Sequence, residues 1–505
     1  MTILPIDPAA NANPEALAAF LEQCRAAAIR SGRSKLVSIS IVVDALDPLA
    51  VLESIFEPSE PHFYAERPDI GSAIAGAETA TAFESTGPGR FEAVQRWIDA
   101  MLQDTIAVGD VSAPFGGPHF FTGFAFADEV EAGEPFAAAR VFVPRWQVAR
   151  AGAVTTAVAN FLVPPDADLS ALAERVWRAH GKFRNFEYGA KDVIESGTGV
   201  PPVGSNSGGA AGSTFGRGAH ATGEANHGRD ARATSQVREA GDYRAVVAKA
   251  VARIDAGEFT KIVLARAQEF ASDQPLHPLR VLNGLRQRFP DCYAFSLANG
   301  RGQSFIGASP ERLVRVSKGV LETEALAGSI RRGAGASEDA ALAGTLLRSE
   351  KDRREHQHVL AAITARLEHL GLAPEYAVEP GLRRLANVQH LHTPIRAALP
   401  ENVRLLAVLA ALHPTPAVGG APLASAVAAI RGLENFPRGL YAGAIGWSNA
   451  RGGGEFFVGL RSALVDGGAA RFYAGAGIVA GSTPEKEFAE TELKFKAMLE
   501  ALRNS

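Results

Sequence analysis

Cysteine is nearly absent from this chain: among 505 residues only Cys24 and Cys292 occur. Two isolated thiols make neither a disulfide framework nor a structural zinc site. Long hydrophobic runs are missing too, since no window approaches the about 18 uninterrupted apolar residues that a membrane-crossing helix requires. The opening residues, MTILPIDPAANANPEALAAF, have no basic start followed by an apolar run, so a cytoplasmic protein is expected. Nor is there an excess of one charge: 51 Lys and Arg face 55 Asp and Glu, a net −4. That removes the electrostatic case for a nucleic-acid or anionic-membrane partner, although a local site can oppose the global sign and hold a small anion. What is present is ordinary for a globular protein, with 47% hydrophobic and 21% charged residues. The length allows a large core and a prior of about three domains.

Through the first 196 residues, hydrophobic spacing predicts a helix at 14–31 and strands at 35–43, 62–67, 72–83, 119–128, 137–150 and 153–163. Helical patterns at 90–104 and 169–181 interrupt them. This half reads as mostly antiparallel sheet and offers no motif dense in chemistry. From 197 to 236 the composition shifts to Gly, Ala and Ser with almost no large apolar residue. Such a segment buries too little surface to offset the entropy of ordering, so a low-complexity, disordered insertion is expected. His220 and His227 lie inside it, too flexible and widely spaced for a preorganised metal site.

Residues 237–505 carry the chemistry. Their last stretch, 471–499, begins with alternating small and apolar residues including Gly475 and Gly477, as in a buried strand that something approaches closely. A helix follows from Pro484, with Ser482 or Thr483 as its cap. Helical spacing aligns Glu487, Glu490 and Lys494 with Met498 and Leu502, so these charges are expected to point inward. The helix expected at 348–371 repeats the pattern, Asp352 and Glu355 heading a line that continues into Val359 and Ile363. Charges are rarely buried without partners, and two helices that each bring an acidic pair point to a hard cation such as Mg2+. The Gly475-Ala476-Gly477 run opens no helix, so the dinucleotide fingerprint is absent.

Other candidates carry two readings each. In FTKIVLARAQEF, Lys261 shares a strand face with Val263 and Ala265; it is an edge-strand lysine that deters aggregation, or a desolvated amine able to act as a base. Glu311, in the Ser309-Pro310-Glu311 turn, is an ordinary turn acid or a carboxyl offered to a cleft. Ala327-Gly328-Ser329 turns a corner or lets a ligand come close. Segments 388–399 and 412–422, rich in Pro, Gly and His, read as ordered loops over a site, and His390, His392 and His413 lack zinc spacing. Arg461 alternates with Phe457 and Gly459 along a strand expected at 454–465, where a half-buried guanidinium needs a carboxylate.

In order along the chain, KIVLAR, SPERL, ALAGSIRRG, SEKDRREH, QHLHTPI, LHPTPAVGG, YAGAIGW, GEFFVGLRSA, AGAGIV and EFAETELK resemble the chorismate-utilising enzymes, and within them the isochorismate synthases. The resemblance spans residues 240–502. It implies a large α+β fold, a sandwich-like core of two packed β-sheets with flanking helices, in place of three domains. Residues 1–196 would be its variable part, 237–505 its chorismate-binding part, and the 197–236 insertion lies outside the family pattern. By motif, Mg2+ falls on Glu355 and Glu490, with Asp352 and Glu487 in a water-mediated shell. The general base falls on Lys261 and the general acid on Glu311. Arg461, Tyr473, the Gly475 backbone and Lys494 match positions that hold the carboxylates of chorismate, while Gly328, Ser329, His390 and Thr393 match positions around the substrate.

The implied reaction is isomerisation of chorismate to isochorismate. Lys261 takes a proton from water attacking C2, and Glu311 protonates the C4 hydroxyl as it leaves. Lys261 must then be neutral and Glu311 protonated, and burial favours both. Anthranilate synthases carry glutamine where Lys261 stands, and aminodeoxychorismate synthases a nucleophilic lysine where Ala327 stands. Salicylate synthases share Lys261, often with threonine in place of Ser329, so isochorismate formation followed by pyruvate elimination is the alternative. A non-catalytic chorismate-binding subunit is a weaker one, because no catalytic position is missing. A monomer is the default, and of a menaquinone, a siderophore and a salicylate role the long N-terminal half leans slightly toward the menaquinone type.

Overall fold

Runs of Val, Ile, Phe and Ala form strands wherever both faces can be covered, and here they assemble into sheets of 14 and 10 strands. A computed structural model describes residues 1–8, 13–174, 176–177, 236–385 and 388–503. The expected insertion, with His220 and His227, lies outside the described residues except for Gln236, which opens the strand Gln236–Glu239.

In the larger sheet, Ser72–Ala77, His62–Arg67, Tyr293–Ala298, Gln303–Ser309, Ser462–Asp466, Ala469–Val479 and Lys261–Ala271 lie side by side in that order. The smaller sheet runs through Val388–Ala398, Val320–Arg331, Arg312–Ser317, Gly454–Val458, Ala444–Asn449 and His119–Phe124. Both sheets therefore draw strands from both ends of the chain. They face each other across an aromatic core: Phe63 stacks on Phe121 at 4.4 Å between centroids, Tyr293 on Phe457 at 4.8 Å, and Phe295 meets the same Phe457 at 5.1 Å. Each of these pairs joins one sheet to the other, and each contributes about 0.5–1.5 kcal/mol beyond the area it buries. On the other side of the larger sheet, Phe270 and Phe472 pack with Val281 and Leu285 of helix Pro278–Arg288 and with Phe495 and Met498 of helix Pro484–Arg503. Helix Glu350–His369 lies against the Val320–Arg331 strand of the smaller sheet. Among the described residues, no helix is long and apolar enough to cross a membrane.

Several expected strands are in fact two strands, one in each sheet. The 72–83 run breaks into Ser72–Ala77 and Thr81–Ser85 around Glu78 at φ 57°, and the 137–150 run into Ala139–Val143 and Trp146–Ala151 at Pro144. The 454–465 run breaks ahead of Ser462, with Arg461 at φ 46°, while the turn expected at Ser309-Pro310-Glu311 does separate Gln303–Ser309 of the larger sheet from Arg312–Ser317 of the smaller one. Side-chain alternation continues through such corners, so hydrophobic pattern alone does not reveal them. Arg461 is consequently a corner residue and not a mid-strand one.

The 388–399 segment, expected as a loop, is the strand Val388–Ala398, paired with Val320–Arg331 over its whole length. Pro394 lies between the positions paired by two short outer strands, Tyr376 opposite Ile395 and Gly381 opposite His392, so its missing N–H goes unneeded. A helix not expected, Ala336–Arg348, precedes Glu350–His369, and Ser349 caps the second by accepting from the Asp352 amide at 3.3 Å.

Candidate active site

A cavity of about 200 Å³ lies where the first residues of strand Lys261–Ala271, the glycine-rich part of Ala469–Val479 and the kinked end of Val320–Arg331 come together. Lys261, Glu311, Gly328, Ser329, Glu355, His390, Arg461, Tyr473, Gly475, Glu490 and Lys494 all line it. Acidic residues from two helices far apart in sequence thus reach one hollow.

Lys261 has only 13% of its side chain exposed, and burial does not act on it alone: its Nζ lies 2.6 Å from Glu355 Oε1. Its stem passes over Gly477, where an added Cβ would stand 3.3 Å from Lys261 Cε, so the missing side chain leaves the lane the lysine occupies. At the Pro310 corner, Glu311 is buried, and among the described residues its carboxyl accepts only a long 3.5 Å hydrogen bond, from the Thr415 hydroxyl. Burial first, and the neighbouring Glu324 charge second, push Glu311 up to about 7. A carboxyl so placed is half protonated near neutrality, which suits a proton donor.

Glu490 pairs with Lys494 at 2.7 Å, and the Lys494 ammonium also donates to the Gly475 carbonyl at 2.6 Å. Tyr473 stacks on Tyr441 at 5.1 Å, its hydroxyl bonded by Arg471. Arg461 lies 3.6 Å from the Cys292 sulfur and 5.7 Å from the Phe289 ring centre; among the described residues no carboxylate stands within ion-pair distance of it. An anionic ligand in the cavity would fill that vacancy. Gly328, at φ 74°, forms a bulge in its strand, and a Cβ there would lie 3.1 Å from Asp352 Cβ. Beside it Ser329 Oγ meets His390 Nδ1 at 2.7 Å, and burial and Arg461 push His390 down to about 3, leaving the ring neutral.

Three expected residues stand elsewhere. Thr393 is buried behind the wall with its hydroxyl 2.8 Å from His356 Nε2, because strand alternation turns it away from the face His390 presents. Asp352 lies beneath Gly328, bonded to the Ser349 hydroxyl of its own helix cap. Glu487 sits beyond the wall but near Glu490, and burial raises its pKa. The last helix buries the line Thr491, Phe495 and Met498. Glu490 and Lys494 flank that line on the cavity side and remain 49% and 40% exposed, so they rim the hollow and do not point into the core as expected.

The spacing patterns did not single out Arg438, Glu434, Tyr441 or Glu324. Arg438 donates to the Val263 and Val418 carbonyls at 2.7 and 3.0 Å and pairs with Glu434 at 2.6 Å, tying the Lys261 strand to the loop ahead of Gly420. An acid and an arginine four apart inside the apolar run ENFPRGLYAG were the available signal. Among the described residues no three His, Cys, Asp or Glu form a group able to hold a metal.

The two-sheet fold and this hollow define a class. The family of chorismate binding enzymes matches residues 19–197 and 217–503, and the chain belongs to that family. It is 36% identical over 476 residues to the salicylate biosynthesis isochorismate synthase of Pseudomonas aeruginosa, covering 93% of this chain and 90% of that one. It is 38% identical over 261 residues to isochorismate synthase MenF of Bacillus subtilis, about half of each chain. The structure of the menaquinone-specific isochorismate synthase MenF from Escherichia coli superposes with a TM-score of 0.70 at 25% identity, covering 95% of this chain and 99% of the other.

Proposed function

We propose that this protein is an isochorismate synthase, an isomerase that converts chorismate to isochorismate. The observation that carries the proposal is the meeting of Lys261 and Glu311 in one cavity with an arginine that has no carboxylate partner among the described residues. Relatives named isochorismate synthase, one of them matched along nine-tenths of both chains, support the same reading.

Arg461 and Lys494 would hold the two carboxylates of chorismate, with the Tyr473 ring and the Gly328 bulge bounding the carbocycle. Lys261 takes the proton from the attacking water as oxygen bonds to C2. The ring double bonds shift, and Glu311 gives its proton to the departing C4 hydroxyl, so one water enters and one leaves. Glu311 reaches its protonated form through burial and a like charge, both on this chain. Lys261 becomes a base only when Glu355 has another partner.

Mg2+ fits that requirement: Glu355 and Glu490 are hard oxygen donors open to the cavity, held now only by lysine amines, and a cation that keeps several waters needs only one or two carboxylates. When bound, the ion would anchor and polarise the ring carboxylate of the substrate. Asp352 and Glu487 would act on it through water.

Purified protein given chorismate and Mg2+, with products separated by chromatography, tests this. Isochorismate is expected. Salicylate with pyruvate as the dominant early product makes the protein a salicylate synthase, anthranilate in the presence of ammonium rejects both, and binding without turnover leaves a chorismate-binding subunit. The length of the N-terminal half does not separate a menaquinone role from others, since the relative named for salicylate biosynthesis matches along 93% of this chain.

A further inference from the structure

Behind Glu311 on the cavity wall lies a second carboxyl group, Glu324, and the surroundings of the two are opposite. Glu324, on the Val320–Arg331 strand, has 6% of its side chain exposed and is surrounded by donors. Its Oε1 accepts from the Arg383 guanidinium at 2.6 Å and from the Arg312 amide at 3.2 Å, and its Oε2 faces His392 Nε2 at 2.9 Å. The Arg312 amide belongs to the residue directly after Glu311, so the Glu324 carboxylate is seated against the backbone that carries the acid. The Glu311 carboxyl, among the described residues, has a single hydrogen bond, the 3.5 Å contact with Thr415.

We propose that Glu324 is a positioning residue for the reaction, a fixed negative charge beside Glu311 that holds the acid in its neutral, proton-donating form. The inference rests on the isochorismate synthase reading for Glu311's role, but the electrostatic link between the two groups stands without it. Paired carboxyls in unlike environments divide into one that stays ionised and one that keeps its proton. Here Glu324 is held down to about 2 by His392, Arg383 and Arg312 against the opposing effect of its burial, and its charge is the second cause, after burial, of Glu311's upward shift. The other charges acting on Glu311 are Lys261 and Arg383, both of which pull it down, and the Thr415 hydroxyl does the same. Farther round the cavity stand Glu355, Glu490, Lys494, Arg438, Arg461 and neutral His390. Glu324 is the charge that opposes the nearby cations. It makes none of the cavity wall, so it does not touch a ligand there directly.

The test is the pH profile of kcat/KM for isochorismate formation in the full-length wild type, Glu324→Gln and Glu324→Asp. Removing the charge is expected to move the alkaline limb down by about one pH unit, with the rate recovering toward wild type below the new limb. Glu324→Asp, which keeps the charge, should leave the limb in place even where the plateau falls. A uniform loss at every pH in Glu324→Gln, with the limb unmoved, gives Glu324 a merely structural role and overturns the proposal. If Glu324→Gln does not fold, Arg383→Gln decides, since removing a cation that pulls Glu311 down must raise the limb; an unmoved or lowered limb overturns the proposal. Should the wild type make no isochorismate, the functional reading has failed separately. The link is then read from the infrared carbonyl band of protonated Glu311, identified by its loss in Glu311→Gln. Titration of that band at lower pH in Glu324→Gln than in wild type sustains the inference, and titration at unchanged pH ends it.

Discussion

Glu311 and Glu355 are the same residue type on the wall of one cavity, and the fold prepares them for different work. Glu355 begins on a helix whose apolar line lies to one side of it, keeps 32% of its side chain exposed, and has an ammonium group 2.6 Å away. Glu311 sits at a proline corner between two sheets, is buried, and has the Thr415 hydroxyl at a long 3.5 Å. A carboxyl open to solvent and to cations suits a metal ligand, whereas one deprived of both favours the protonated form that a proton donor needs. The difference teaches that residue identity marks the acids in such a site, while the backbone element that carries each one sets its role.

Cutting the contrast at its centre is expected to have the largest effect. Lys261→Ala removes the amine that pairs with Glu355 and shares the cavity with Glu311, and turnover should fall by about 10³-fold or more with chorismate binding retained. Stopped-flow turnover and a binding titration measure the two separately, and retained turnover removes the base assignment. Glu311→Gln keeps shape but has no proton to give; about 10²-fold to 10³-fold loss is expected at every pH, and a loss confined to KM would make Glu311 a binding residue. On the other side of the contrast, Glu355→Gln and Glu490→Gln should raise the Mg2+ concentration for half-maximal rate by about 10-fold to 100-fold. An unaltered Mg2+ response in both would detach these acids from the metal.

The pH profile sharpens the comparison further. Glu311 must be protonated to act and is pushed up to about 7, so the rate is expected to be insensitive to its titration below that pH and to fall about tenfold per unit above it. Stability moves with the same sign. The folded value lies above the ordinary 4.5, so the contribution of this group is complete below 4.5 and disappears as pH rises through about 7. An alkaline limb that stays at 7 in Glu311→Gln would assign the titration to another group.

The sequence makes the chemistry legible and the corners obscure. Glycines at 475 and 477 announce a backbone closely approached, and the chain places Lys494 on the Gly475 carbonyl and Lys261 over Gly477. Helical spacing singles out Glu355 and Glu490, which do line one cavity, yet it overstates their burial, because a line of side chains 100° from the buried one looks equally amphipathic when small residues intervene. Hydrophobic alternation finds most strands by existence, as at 35–43, 62–67 and 154–163, and the turn at Pro310 is legible, but the pattern runs on through Pro144 and Arg461, where the chain changes sheets. Sheet assignment is a long-range property with no local signature. For the same reason Glu324 is visible only as one acid in an alternating strand, since its partners Arg383 and His392 come from strands 59 and 68 residues away.

Gly328 offers the smallest and most local test. Its φ of 74° is open to glycine and strained for alanine, and an added Cβ would press on Asp352 Cβ at 3.1 Å and Leu391 Cδ1 at 3.3 Å. Gly328→Ala is therefore expected to cost about 1–3 kcal/mol in denaturant unfolding. The bulge also sets Ser329 against His390, so kcat should fall several-fold more than binding weakens. Gly335→Ala is the control: it too stands near a helix start, but its backbone is extended at φ −142° and nothing lies within 4 Å of an added Cβ. If both substitutions behaved alike, the bulge would be a neutral feature of the strand, and the placement of Ser329 and His390 would have to come from the Val388–Ala398 pairing alone.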